Sequence, residues 1–217
     1  MPQWIPAGGY PLILVGLTIV KLIFPLRQRI PMWDTIFKVI TAPARSPNFF
    51  QTYVGDIFTS MVKIFQDIAW TLCWTLSGDF LANEDKKAAF RHNWAHSTWY
   101  AKVLIPILTQ LPLVIRFNQC LRKYSDTGDR FPHLANAFKY ALSQLVTLFG
   151  TFHPLYLMAN AETSGVQYYQ IFWTILFVSS SLYSFAWDVY MDWGLGRPKY
   201  GFLGPSLMYP HKYYYYW

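Results

Sequence analysis

Asp188 and Asp192, four residues apart in "SLYSFAWDVYMDWGL", close a segment otherwise apolar enough for a lipid bilayer. Four residues is about one helical turn, so both acids leave one face of a helix. Three other apolar segments carry polar side chains at helical intervals. The second contains Asp56, Thr59, Ser60, Lys63 and Asp67, and the fourth Asn136, Lys139, Tyr140, Ser143 and Thr147. In the fifth, Ser181 and Ser184 continue the phase of the two acids, and the third places Thr109, Arg116 and Lys123 at steps of seven. Each set defines a polar stripe.

Such stripes are costly in lipid. A central Lys, Arg or Asp is charged about 2.5–3.5 kcal/mol on insertion, so it faces a bundle interior or a water-filled cavity and pairs there. Four converging stripes would line a polar path. Arg116 and Lys139 would bind an anion in it, while Asp56, Asp188 and Asp192 would hold the cations and keep the empty site near neutral. Thr59, Ser60, Lys63, Asn136, Ser143 and Ser184 are the candidate lining residues. A structural role fits the same residues: an intramembrane ion pair joins helices, and acids at a span end can lie among headgroups. An acid–base dyad fits less well, because Asp188 and Asp192 lie along one helix and not opposed across a substrate, and no nucleophile motif accompanies them. No enzyme is expected. His92 and His96 are four apart without an evident third ligand, and no Cys/His cluster occurs, so neither a metal nor a cofactor is expected.

The elements that must position these residues are helices crossing a membrane. The 217 residues suit an all-α, polytopic transmembrane helix bundle of about five to six spans. Hydrophobic residues make up 53% of the chain and charged residues only 13%, against about 25% in a typical soluble domain. The 10 Trp, 16 Tyr and 17 Phe exceed the needs of an ordinary core and suit headgroup belts. Mean hydropathy is a modest +0.17, as expected for spans with polar faces. A lipid bilayer is the expected environment. Nucleic acid is not an expected partner of the +7 chain, because its basic residues are divided among short loops and isolated intramembrane sites. The two cysteines, Cys73 and Cys120, lie in apolar segments and give no disulfide framework.

Five spans are predicted: Tyr10–Leu26, Phe49–Leu76, Trp99–Leu121 with Pro106 and Pro112 inside it, His133–Met158 and Val166–Asp192. Between the first two, "PMWDTIFKVITAP" has helical apolar spacing and suits the membrane surface. Loop charges orient the bundle. Arg27, Arg29, Lys38, Arg45, Arg122, Lys123, Arg130, Arg197, Lys199 and Lys212 follow spans one, three and five. Only Lys86, Lys87 and Arg91 fall on the other side. The positive-inside rule puts the first group in the cytosol and the N-terminus in the lumen or outside the cell. No cleavable signal peptide is evident. "YPHKYYYYW" reads as the aromatic opening of a further span, so a C-terminally truncated domain is expected.

"RFNQCLRKYSDTGDRFPHLANAFKY", Arg116–Tyr140, resembles the central signature of the EXS domain, found in xenotropic and polytropic retrovirus receptor-type phosphate exporters, plant phosphate exporters and shorter yeast Golgi relatives. "WDVYMDWGL" resembles a second signature, "YPHKYYYYW" a third, and "SPNFFQTYVGDIFTS" the region of an early-span acid. The resemblance runs from about Pro25 to Trp217. It implies one EXS-type transmembrane domain over residues 1–217, without an SPX domain, that exports inorganic phosphate. It further implies a phosphate site in which Lys139 and Tyr140 form the "KY" pair, Arg116 is the signature arginine, Asp56 the early-span acid, and Asp188 and Asp192 the paired acids. Arg122–Lys123 departs from the family's two consecutive arginines, and Asp129 stands where a base is common. The resemblance places the chain in the Golgi or plasma membrane and leaves a homodimer open. It also leaves an alternative, a non-transporting Golgi membrane protein acting in sorting or retention.

Overall fold

The computed structural model describes residues 9–78, 94, 96–152, 168–204, 206–209 and 211–215. Within them the chain is all-helical, with no strand. Seven principal helices follow in order: α1 (Gly9–Ile23), α2 (Leu26–Ile40), α3 (Phe49–Ser60), α4 (Val62–Leu76), α5 (Tyr100–Thr127), α6 (His133–Phe152) and α7 (Tyr168–Trp187). A single π turn, Asp188–Asp192, continues α7. The expected ends of the fourth and fifth segments, at Met158 and Val166, lie outside the described residues, as do His92 and the Lys86, Lys87 and Arg91 loop.

The first expected span ends close to its expected limit, and the second is interrupted. α1 and α2 meet at 86° across Phe24–Pro25. Pro25 brings no N–H and disfavours helical geometry in the residue before it. The stretch expected as one span from Phe49 to Leu76 is two helices, because Met61 leaves α geometry (φ −96°, ψ 10°) and its N–H reaches back only to Phe58. Among the described residues α5 alone is long and apolar enough to cross a bilayer unaided, and α1 with α2 qualifies only as a bent pair. Serines and Gln170 dilute the apolar character of α7, as the Lys139 stripe does that of α6.

α5 is the central post and packs on α3, α4 and α6, while α7 packs on α6. It opens with a π turn, Tyr100–Leu104, just before Pro106, whose ring nitrogen cannot continue the ladder. Its end is set by Gly128. At φ 76° this residue takes the left-handed cap conformation and donates its N–H to the Tyr124 carbonyl at 2.8 Å. Five residues then return the chain as α6.

The packing inverts a soluble core. Pro112, Ile115, Arg116, Gln119 and Cys120 form the buried face of α5 at helical spacing, so the seam carries a guanidinium and an amide. Cys120, Ala137 and Tyr140, flanked by Leu113 and Phe117, form the apolar cluster beside them. Leu14, Leu17, Phe37, Ile64, Ile107, Leu145 and Ile175 are exposed, and α1 buries no residue. An apolar exterior around a polar seam is the arrangement lipid requires.

Candidate functional site

α3 is positioned first. Its start is fixed by a reciprocal capping box: the Asn48 side chain accepts the Gln51 N–H at 2.8 Å, and the Gln51 side chain accepts the Asn48 N–H at 3.1 Å. Two turns along, Gly55 lets α3 close onto α5. A Cβ there would fall 2.7 Å from Arg116 Cδ and 2.8 Å from Gln119 Oε1. The close approach carries Asp56 to the α5 seam.

Arg116 is 2% exposed and fully engaged on one side. Its Nε lies 2.6 Å from Asp56 Oδ1 and donates to the Tyr140 hydroxyl at 3.1 Å. The Tyr140 hydroxyl donates to the same Asp56 oxygen at 2.6 Å. Arg116 Nη1 donates to Gln119 Oε1 at 2.5 Å, and Gln119 Nε2 donates to the Gln51 carbonyl at 3.2 Å. The guanidinium is thus clamped from α3, α5 and α6. The Gln119 amide serves as both acceptor and donor in the clamp.

Lys139 forms a second group. Its Nζ donates to Asp188 Oδ1 at 3.2 Å and lies 4.0 Å from Asp192 Oδ2. The π turn, closed by the Trp193 N–H on the Asp188 carbonyl, sets both acids toward this one lysine. Tyr140 joins the groups, because its ring centroid is 5.0 Å from the Arg116 guanidinium carbon and 5.1 Å from Lys139 Nζ.

A cavity of about 240 Å3 opens beside these groups. Arg116, Lys123, His133, Asn136, Trp187 and Asp192 are among its walls. Three cations (Arg116, Lys123, Lys139) and three carboxylates (Asp56, Asp188, Asp192) compose the neighbourhood, so it is formally neutral. A second groove, of about 280 Å3 between α6 and α7, is lined by Ser143, Thr147, Ser180, Ser181 and Ser184. There Ser143 Oγ lies 3.4 Å from Ser180 Oγ.

The structure therefore brings Asp56, Arg116, Lys139, Tyr140, Asp188, Asp192 and Asn136 together, and places Ser143 and Ser184 in the adjoining groove. It does not bring the whole second stripe. Thr59 spends its hydroxyl on the Asp56 carbonyl, and Ser60 is exposed at the helix end. Beyond the Met61 break Lys63 pairs with Asp67, both well exposed. Thr109 meets Gln66 at 3.0 Å, away from the cluster. Sequence reading missed Gly55, Gln119, His133 and Trp187. Gln119 had a signal, since it lies one turn after Arg116 on the same face.

A helical bundle with an apolar exterior and an ion-paired interior is the class this architecture defines. The chain belongs to the EXS family, whose model matches residues 2–217. It is 35% identical over 222 residues to the SPX and EXS domain-containing protein 1 of Dictyostelium discoideum, covering 98% of this chain and 22% of that protein. It is 30% identical over 227 residues to the human solute carrier family 53 member 1, covering 98% of this chain and 32% of the relative. The Xenopus laevis xenotropic and polytropic retrovirus receptor 1 homolog is 30% identical over 225 residues, covering 95% of this chain and 30% of its own length. The chain thus spans between about a fifth and a third of the curated relatives it matches.

Proposed function

We propose that the chain is a membrane-embedded phosphate transport domain whose substrate binds at Arg116, Lys139 and Tyr140. The observation that carries this reading is that Arg116 of one ion-paired group and Asp192 of the other line a single cavity inside an apolar-surfaced bundle. A tetrahedral anion held between Arg116 and Lys139 would receive charge-assisted hydrogen bonds from both in place of its lost hydration. Asp56 holds the arginine, and Asp188 and Asp192 hold the lysine. The groove of serines and Thr147 offers neutral hydroxyls through which an anion can pass without a second tight site. The name solute carrier borne by relatives supports the same class. The crossings are α1, α3–α4 as one broken span, α5, α6 and α7, with the Asp129 loop in the cytosol. Impermeant labelling of a cysteine placed at Asp129 tests that side, and labelling only from the lumenal face would reverse the orientation.

Efflux of radiolabelled phosphate from proteoliposomes tests the function. Wild type is expected to release phosphate and Lys139→Ala to lose most of the release. Equal efflux from the two would remove Lys139 from the site. An absence of efflux and of phosphate binding in wild type would leave the sorting or retention reading, which requires no bound anion.

A further inference from the structure

The cavity beside Arg116 contains two polar atoms that a simple cationic site does not need. Trp187 is 8% exposed, and its Nε1 is buried without a hydrogen-bond partner among the described residues. Asn136 Oδ1 is buried without one as well. Both side chains line the cavity that Arg116, Lys123 and Asp192 also line. One atom is a donor and the other an acceptor. Buried polar groups are ordinarily paired, so an unpaired donor and an unpaired acceptor on one cavity describe the ligand that completes them.

That ligand must both accept and donate. Every oxygen of sulfate accepts only, so an amide carbonyl and a carboxylate in its site oppose it. Inorganic phosphate near neutral pH carries at least one P–OH and needs an acceptor for it. We propose that Asn136, with Asp192 lining the same cavity, selects a protonated tetrahedral oxyanion. The Asn136 carbonyl accepts the P–OH proton, while Arg116, Lys123 and the Trp187 indole N–H bind the remaining oxygens. The inference rests on the phosphate reading above and adds what makes the site specific. It follows the general rule that a site built to pair a ligand hydroxyl strongly rejects an analogue that lacks it.

The test is equilibrium binding of radiolabelled phosphate and radiolabelled sulfate to the full chain in nanodiscs. Wild type is expected to favour phosphate. Asn136→Leu, and the smaller Asn136→Ala, remove the acceptor and are expected to weaken phosphate about tenfold while sulfate holds or gains. Trp187→Phe removes a donor that serves either anion, so both should weaken together and the ratio should stand. Equal wild-type affinity for the two anions overturns the selection, and so does a wild-type ratio in either Asn136 variant that still binds phosphate. In both cases the phosphate reading survives. A wild type that binds neither anion overturns the phosphate reading itself, and the selection with it.

Discussion

Replacing Gly55 by alanine should destabilise the bundle although alanine is the better helix former. The added methyl would meet Arg116 Cδ at 2.7 Å, Gln119 Oε1 at 2.8 Å and Gln119 Nε2 at 3.1 Å, all inside ordinary contact distance. Neither neighbour is a free end. Arg116 is held by Asp56 and Tyr140, and Gln119 by the Gln51 carbonyl. Overpacking of this kind costs about 1–3 kcal/mol. The Arg116–Gln119 hydrogen bond, which involves a charged donor, contributes about 1.5–3 kcal/mol and would be stretched or lost. Alanine returns about 1 kcal/mol of helix propensity. The expected net loss is about 1.5–5 kcal/mol. Gly16 in α1 is the control, since a Cβ there meets nothing within 4 Å. Gly16→Ala should be neutral or stabilising by up to about 1 kcal/mol. Denaturant titration of both variants in the same detergent measures the difference. A Gly55→Ala protein as stable as Gly16→Ala would refute the close α3–α5 approach, and with it the clamp on Arg116.

Tyr140→Phe removes the hydroxyl that both donates to Asp56 and accepts from Arg116, and should cost about 1.5–3 kcal/mol in the same titration. An unchanged midpoint would mean that the Asp56–Arg116 contact holds the helices without it. Lys63→Ala, which breaks only an exposed pair with Asp67, should leave stability within about 0.5 kcal/mol and phosphate efflux at the wild-type rate. A fall in efflux would return Lys63 to the transport path. Lys139→Met strands two carboxylates and should destabilise by about 1–3 kcal/mol, discounted because Asp188 and Asp192 are roughly half exposed. Adding Asp188→Asn should recover much of that stability without restoring phosphate binding. Recovery of binding as well would show that the lysine only neutralises the acid.

The helical composition and the polar stripes were legible because 3.6-residue periodicity is a local property. Asn136, Lys139 and Tyr140 could be placed on one face of α6 from spacing alone. The partner of each stripe could not, since it depends on helix contacts that no single segment encodes. Met61 shows the limit most directly. Asp56 and Lys63 are seven residues apart, which suggests one face, yet a change in one residue's backbone angles sends Asp56 to Arg116 and leaves Lys63 in an exposed pair. Gly55 was illegible for a different reason. A glycine within a helix reads as a weakness until the chain packed against it is known. The π turn likewise leaves no mark in "DVYMD", although it turns Asp188 and Asp192 toward one lysine.

Tyr140 makes the two ion-paired groups a single unit. Its ring lies beside both cations and its hydroxyl is tied to the carboxylate of the first, so Arg116 cannot move without disturbing the surface on which Lys139 rests. The restraints on the two cations are unequal. Arg116 is buried under contacts of 2.5, 2.6 and 3.1 Å, whereas Lys139 has one bond of 3.2 Å and a looser neighbour at 4.0 Å. On the proposed transport reading an arriving anion competes with carboxylates chiefly at Lys139, where Asp188 is the closer partner and Asp192 the looser one. Binding of the proposed substrate would then exchange one ion pair for another at the lysine. Such an exchange would keep the affinity low enough for the release that conduction requires. A site with the same cations but no competing acids would hold its anion more tightly and let it go more slowly.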